Sequence, residues 1–136
     1  MGYPNPPIQR PDVPMDWLDP FWLDSGPSDL EVRFARLWLD VAPQLDLYTE
    51  ARLIPGRQYR FDFAHYPSMV AIEIQGNGPG HYSRAGVNRD NEKHRLAASE
   101  GWLVMPVESA VVDDRETHNR IAAVISQRML TLKEAA

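Results

Sequence analysis

Seven of the chain's twelve prolines fall before residue 28, at Pro4, Pro6, Pro7, Pro11, Pro14, Pro20 and Pro27. No other feature restricts the fold as much. Proline fixes φ and has no N–H, so helix interiors and central strands are closed to such a run. Residues 1–27 are expected to form an extended proline-rich arm, with Trp17, Phe21 and Trp22 able to dock on a surface. The arm either wraps its own domain or contacts a second copy, so a homodimer is one use for it. Residues 28–136 must then supply the core, and they read as a single domain with no internal repeat.

The remaining prolines act as punctuation. Ser28 with Glu31 three residues on makes a capping box, and Leu30, Phe34, Leu37, Trp38 and Val41 recur at helical spacing until Pro43 stops the helix. Two strand-like segments follow, Leu47–Arg52 and Arg57–Ala64, split by the turn Ile54-Pro55-Gly56. A third strand, Met69–Gln75, comes after the short turn Tyr66-Pro67-Ser68. Gly76 to Gly86 carries four glycines and a proline and reads as a flexible loop. A helix is predicted from about Asn88 to Glu100, closed by Gly101, then a buried strand at Trp102–Val107. A last amphipathic helix begins near Asp114, marked by Ile121, Val124, Ile125 and Leu132. The order α-β-β-β-α-β-α gives an α/β (α+β) class, a mixed central sheet flanked by helices.

A hydrophobic fraction of 43% in 136 residues is enough for one core without staples. With no cysteine, disulfides and thiolate metal sites are excluded, which fits a reducing cytoplasm. No apolar run reaches the roughly 18–20 residues that span a bilayer, and no signal-peptide pattern opens the chain. A cytoplasmic chain with no membrane partner is therefore expected. The net charge of −5 argues at first against nucleic acid, since phosphate binding rests on Lys and Arg. Its distribution reverses that impression. Residues 1–50 hold 3 basic and 9 acidic side chains, residues 51–100 hold 7 and 5, and residues 101–136 hold 4 and 5.

The basic middle third also carries the chemistry. Taken as a hairpin, Arg57–Ala64 and Met69–Gln75 place Phe61 and Phe63 on one face, with Arg60 and Asp62 opposite. If His65 pairs with Val70, then Asp62 lies directly opposite Glu73, with Cβ atoms about 4.5–5.5 Å apart. Two like charges so placed repel unless a cation sits between them. A hard divalent ion such as Mg²⁺, which takes carboxylate oxygens and water, suits that position. The plainer reading is the solvated face of a hairpin. Against it stands the density of polar groups in the following loop and helix: His81, Arg84, Arg89, Asp90 and Lys93. Asp90, Lys93 and Ala97 share one helix face. The four histidines lack a ligand spacing, and the glycines are not followed by the G-K-[ST] of a phosphate-binding P-loop.

Arg60-Phe-Asp62-Phe, Ile72-Glu73-Ile-Gln75-Gly76, the glycine stretch with His81, Asp90 with Lys93, and Gly101-Trp102-Leu-Val together resemble the PD-(D/E)XK nuclease superfamily. The likeness is to its small single-domain branch of very-short-patch-repair-like and phage-type endonucleases, and it covers about residues 28–107. It implies a restriction-endonuclease-like fold and a metal-dependent endonuclease that hydrolyses phosphodiester bonds in DNA. It further implies that Asp62, Glu73 and the backbone carbonyl of Ile74 hold Mg²⁺ or Mn²⁺, with Glu31 on the preceding helix assisting. The capping box with Ser28 is a competing explanation of Glu31.

One position departs from the family pattern. Its lysine, two residues after the glutamate, is Gln75 here, and glutamine cannot supply a positive charge. Lys93 is the candidate for a lysine that has moved to the following helix. Lys93 or Gln75 would orient the attacking water, and Arg60, His81, Arg84 and Arg89 would contact flanking phosphates. Two alternatives follow from the same residues: a catalytically inactive module that binds DNA or protein, and, more narrowly, a Holliday-junction resolvase.

Overall fold

The hydrophobic repeat after residue 28 folds as predicted, into helix α1 (Asp29–Val41), which buries Phe34, Ala35, Trp38 and Leu39. The structure is a computed structural model, and it describes Ile8, residues 29–76 and residues 84–135, with the side chains of 84–87 excepted. Most of the proline-rich arm, Ser28 and the glycine loop with His81 lie outside the described residues. Ile8 is the part of the arm that is described. It is buried in the main core and donates its N–H to the Leu47 carbonyl at 3.0 Å.

After α1 come β1 (Tyr48–Ala51), β2 (Phe61–His65) and β3 (Val70–Gln75). Helix α2 (Arg84–Ser99), β4 (Leu103–Glu108), a 3-10 turn (Ser109–Val111) and α3 (Arg115–Ala135) complete the order. The four strands form one sheet in the order β1-β2-β3-β4. The first two pairings are antiparallel, while β4 lies parallel to β3. A parallel neighbour needs a crossover, and α2 supplies it. This is the mixed sheet with flanking helices expected from the sequence.

Local chemistry sets the boundaries. Between β1 and β2, Pro55-Gly56 makes a turn closed by Arg57 N–H on the Ile54 carbonyl at 3.2 Å, with Gly56 at φ 76. A left-handed third residue is what a type II turn demands, and proline suits the second position. Helix α2 starts at Arg84, four residues before the predicted Asn88. It ends at Ser99, and Gly101 just beyond, with φ of 90, suits the left-handed exit of a helix.

Two clusters sandwich the sheet. On one face α1 and α3 pack Phe34, Trp38, Ile121 and Ile125 against Phe63, Val70 and Ile72. On the other, α2 sets Ala97 against Ala64, Ala71, Ala51 and Phe61. This corrects the expectation that Phe61 and Phe63 share a face: they enter different clusters. The cause is a local break in strand alternation. Between the pairs Thr49↔Phe63 and Ala51↔Phe61, Glu50 takes a left-handed φ of 51, uncommon for a residue with a side chain.

Candidate active site

The hairpin register is the one the sequence predicts: His65↔Val70, Ala64↔Ala71 and Phe63↔Ile72. One step further along, Asp62 stands opposite Glu73, and side chains take over from the ladder. Asp62 Oδ2 accepts the Ile74 N–H at 2.7 Å, and Glu73 Oε1 accepts the Asp62 N–H at 3.2 Å. Backbone donors at the margin of a sheet still need acceptors, and the two carboxylates provide them. The same contacts hold both acids at the open end of the hairpin.

Lys93 reaches this point from α2. Its Nζ donates to Glu73 Oε2 at 2.9 Å and lies 4.3 Å from the centre of the Phe61 ring. The side chains of Lys93 and Glu73 are only 12% and 19% exposed. A cation over an aromatic face is stabilised by the ring's quadrupole, so Phe61 serves as a floor for the ammonium. The break that turned Phe61 toward α2 is what places it there. Lys93 on the helix thus brings an ammonium to Glu73, two residues before Gln75 on β3.

Charge balance at the site is unfavourable to the free acids. Withdrawal from water, first, and then the charges of Glu73 and Glu31 push the Asp62 carboxyl up to about 8. The Ile74 N–H and the Lys93 ammonium oppose this without cancelling it. Glu31 is half-buried on α1, with Oε2 shielded from solvent, and its charge is felt at Asp62. Glu50 also belongs to the cluster, and sequence reasoning missed it. It pairs with Arg60 at 3.7 Å, and burial raises its carboxyl above the usual range. Lys93 and Glu73 both act on it electrostatically. Extending the Thr49↔Phe63 pairing by one residue puts Glu50 opposite Asp62, a signal available only once β1 is known to be β2's neighbour.

The other candidates divide clearly. Gln75 is exposed at the end of β3. Arg60 stands at the threshold of β2, and Arg89 and Asp90 are exposed on α2 one turn before Lys93. Arg84 begins α2, and its side chain, like His81, lies outside the described residues. A surface pocket of about 320 Å³ between β4 and α3, lined by Met105, Pro106 and Arg120 among others, contains none of the candidate residues.

Among the described residues, no group of three or more His, Cys, Asp or Glu side chains is gathered closely enough to hold a metal ion. The arrangement nevertheless suits a hard cation that keeps most of its water. Mg²⁺ is commonly held by one or two carboxylates plus water and phosphate oxygens. Asp62, its carboxyl raised first by burial and then by neighbouring negative charge, is the group such an ion would relieve.

Comparison with known proteins agrees at the level of the fold. No family model matches the chain, and no curated protein matches it. Among solved structures, the chain is similar to the catalytic domain of the homing endonuclease I-Bth0305I. The two share 19% identity with a TM-score of 0.57, over 76% of this chain and 99% of that domain.

Proposed function

We propose that this chain is a metal-dependent endonuclease of the PD-(D/E)XK type, hydrolysing phosphodiester bonds in DNA. The observation that carries the reading is the opposition of Asp62 and Glu73 at the end of a hairpin, with Lys93 Nζ 2.9 Å from Glu73 Oε2. The fold shared with the catalytic domain of a homing endonuclease supports the same reaction class.

Asp62 and Glu73, with the Ile74 carbonyl and Glu31 beside them, are the residues that would hold Mg²⁺ or Mn²⁺. Such an ion, when bound, supplies a more acidic water and neutralises charge on the scissile phosphate. The chain's own residues do the positioning. Lys93 presents a point charge on the face where the water must attack, held in place by Glu73 and Phe61. Gln75 lies two residues past Glu73 and offers an amide to orient that water. Arg60 and Arg89 contact phosphates on either side, and His81 and Arg84 are the further candidates in the adjoining loop and helix start.

The test is incubation with supercoiled plasmid and with branched DNA, with and without Mg²⁺ or Mn²⁺. Cutting is expected only with metal. Asp62→Asn and Glu73→Gln should abolish it while keeping an oxygen to accept the Ile74 and Asp62 N–H groups. Cutting confined to branched DNA would narrow the reading to a junction resolvase. Binding without cutting under any metal would make the chain an inactive DNA-binding module.

A further inference from the structure

The positive charge on α2 does not end at the candidate site. Glu92 Oε1 accepts both the Arg57 Nη1 at 2.9 Å and the Tyr59 hydroxyl at 2.6 Å. One carboxylate oxygen thereby ties the β1–β2 connection to the flank of α2. Arg89 acts electrostatically on Tyr59 and Arg95 on Glu92, so both lie near this contact on the same flank of α2. Arg57 and Glu92 are 49% and 40% exposed, and Arg89 and Arg95 are exposed as well. The other face of the molecule is different: there Arg33 pairs with Asp113, Arg115 with Asp40 and Arg120 with Glu116. On that face each of these arginines has its own carboxylate. On the α2 flank Glu92 is paired with Arg57, while Arg89 and Arg95 form no ion pair among the described residues.

We infer that Arg57, held by Glu92, and the exposed Arg89 and Arg95 on the neighbouring flank of α2 form a phosphate-contacting surface that grips the DNA backbone beside the cleavage site. The inference rests on the nuclease reading and extends it to residues outside the Asp62–Glu73–Lys93 centre. Arg89 links the two, lying one helical turn from Lys93. An arginine fork matches phosphate oxygens as well as it matches a carboxylate, so a phosphate can replace Glu92 as the acceptor for Arg57. Glu92 then has two effects. It holds Arg57 and Tyr59 in place before DNA arrives, and its charge opposes any polyanion that does not bring phosphates close enough to take over.

The experiment measures binding of a short labelled duplex by fluorescence anisotropy across a salt series, with chelator present so that no cutting occurs. Arg57→Ala, Arg89→Ala and Arg95→Ala should each weaken binding several-fold and lower the slope of log affinity against log salt by about 0.9. Glu92→Gln should tighten binding, because it removes a repelling charge and keeps an acceptor for Tyr59. Arg115→Ala, on the opposite face, should change neither affinity nor slope. Arginine variants that bind with the wild-type slope, or a Glu92→Gln chain that binds more weakly, overturn this surface and leave the nuclease reading standing. A wild-type chain that neither binds nor cuts DNA overturns both.

Discussion

At the residue scale, Lys93 is the side chain on which the proposed chemistry turns. Its ammonium is the basic group bonded to Glu73, and Phe61 lies beneath it. Lys93→Ala should slow DNA cutting by about 10²–10³, roughly 3–4 kcal/mol, as expected for loss of one group that stabilises a transition state. Duplex affinity should fall far less, which separates rate from binding in single-turnover assays at saturating DNA. Gln75→Lys in the Lys93→Ala background should restore part of the rate. The opposition of Asp62 and Glu73 was legible in the sequence because a four-residue turn between His65 and Val70 fixes the register of everything before it. The approach of Lys93 to the same carboxylates was legible from its place on the helix after the glycine stretch. Glu50 was not, because its place depends on which strand β1 joins and on a left-handed φ in mid-strand, and neither is written in local residue pattern.

At the scale of elements, two joints hold the helices to the sheet. Arg128 on α3 donates to the Ser68 carbonyl and to the Gly101 carbonyl, both at 2.9 Å, and so ties the β2–β3 turn to the end of α2. Arg128→Ala should cost about 1.5–3 kcal/mol, read as a lower denaturation midpoint in urea with unchanged slope. The second joint is His118, buried on α3 and stacked on Phe34 at 4.3 Å, with Nε2 at 2.7 Å from the Val112 carbonyl. A ring nitrogen facing a carbonyl must carry the proton, so Nδ1 is left as a buried acceptor with no hydrogen-bond partner among the described residues. Burial is the first cause that holds the imidazole below its ordinary value of 6.5. The folded chain therefore resists the proton that the unfolded chain takes up. Stability from this source is complete above about pH 6.5 and declines as the pH falls below it, until the folded-state value is passed. Asp62, raised to about 8, favours the folded chain as the pH falls through the same window. The His118 contribution is therefore read as the difference between wild-type and His118→Phe melts, which should shrink as the pH falls below about 6.5. The order of elements was readable because proline and glycine mark nearly every joint. The early start of α2 was not, since Gly86 reads as loop; about 1 kcal/mol of glycine penalty is small beside the packing of a whole helix on the sheet.

At the scale of the whole molecule, the acid cluster is a stability cost that a bound counter-ion, as proposed, would offset. A ligand that binds only the folded chain stabilises it by mass action, about 2.7 kcal/mol at a hundredfold excess over its Kd. Mg²⁺ should accordingly raise the melting midpoint by several degrees, and Asp62→Asn should remove most of that shift. The two cores on either side of the sheet have a further consequence. One is built from Trp38, Phe34, Phe63 and Ile72, and the other from four alanines with Leu53, Ile54 and Phe61, its larger side chains such as Trp102 only partly buried. Burial of apolar area sets how strongly each layer is held, so the alanine layer opens at lower free energy. Asp62 and Glu73 belong to the sheet and Glu31 to the strongly held helix layer, while Lys93 rides on the weaker one. In deuterated water, the α2 amides should therefore exchange well before those of β2 and β3. An opening of that layer would carry Lys93, Arg89 and Arg95 away on α2 and leave Asp62 and Glu73 in place on the sheet.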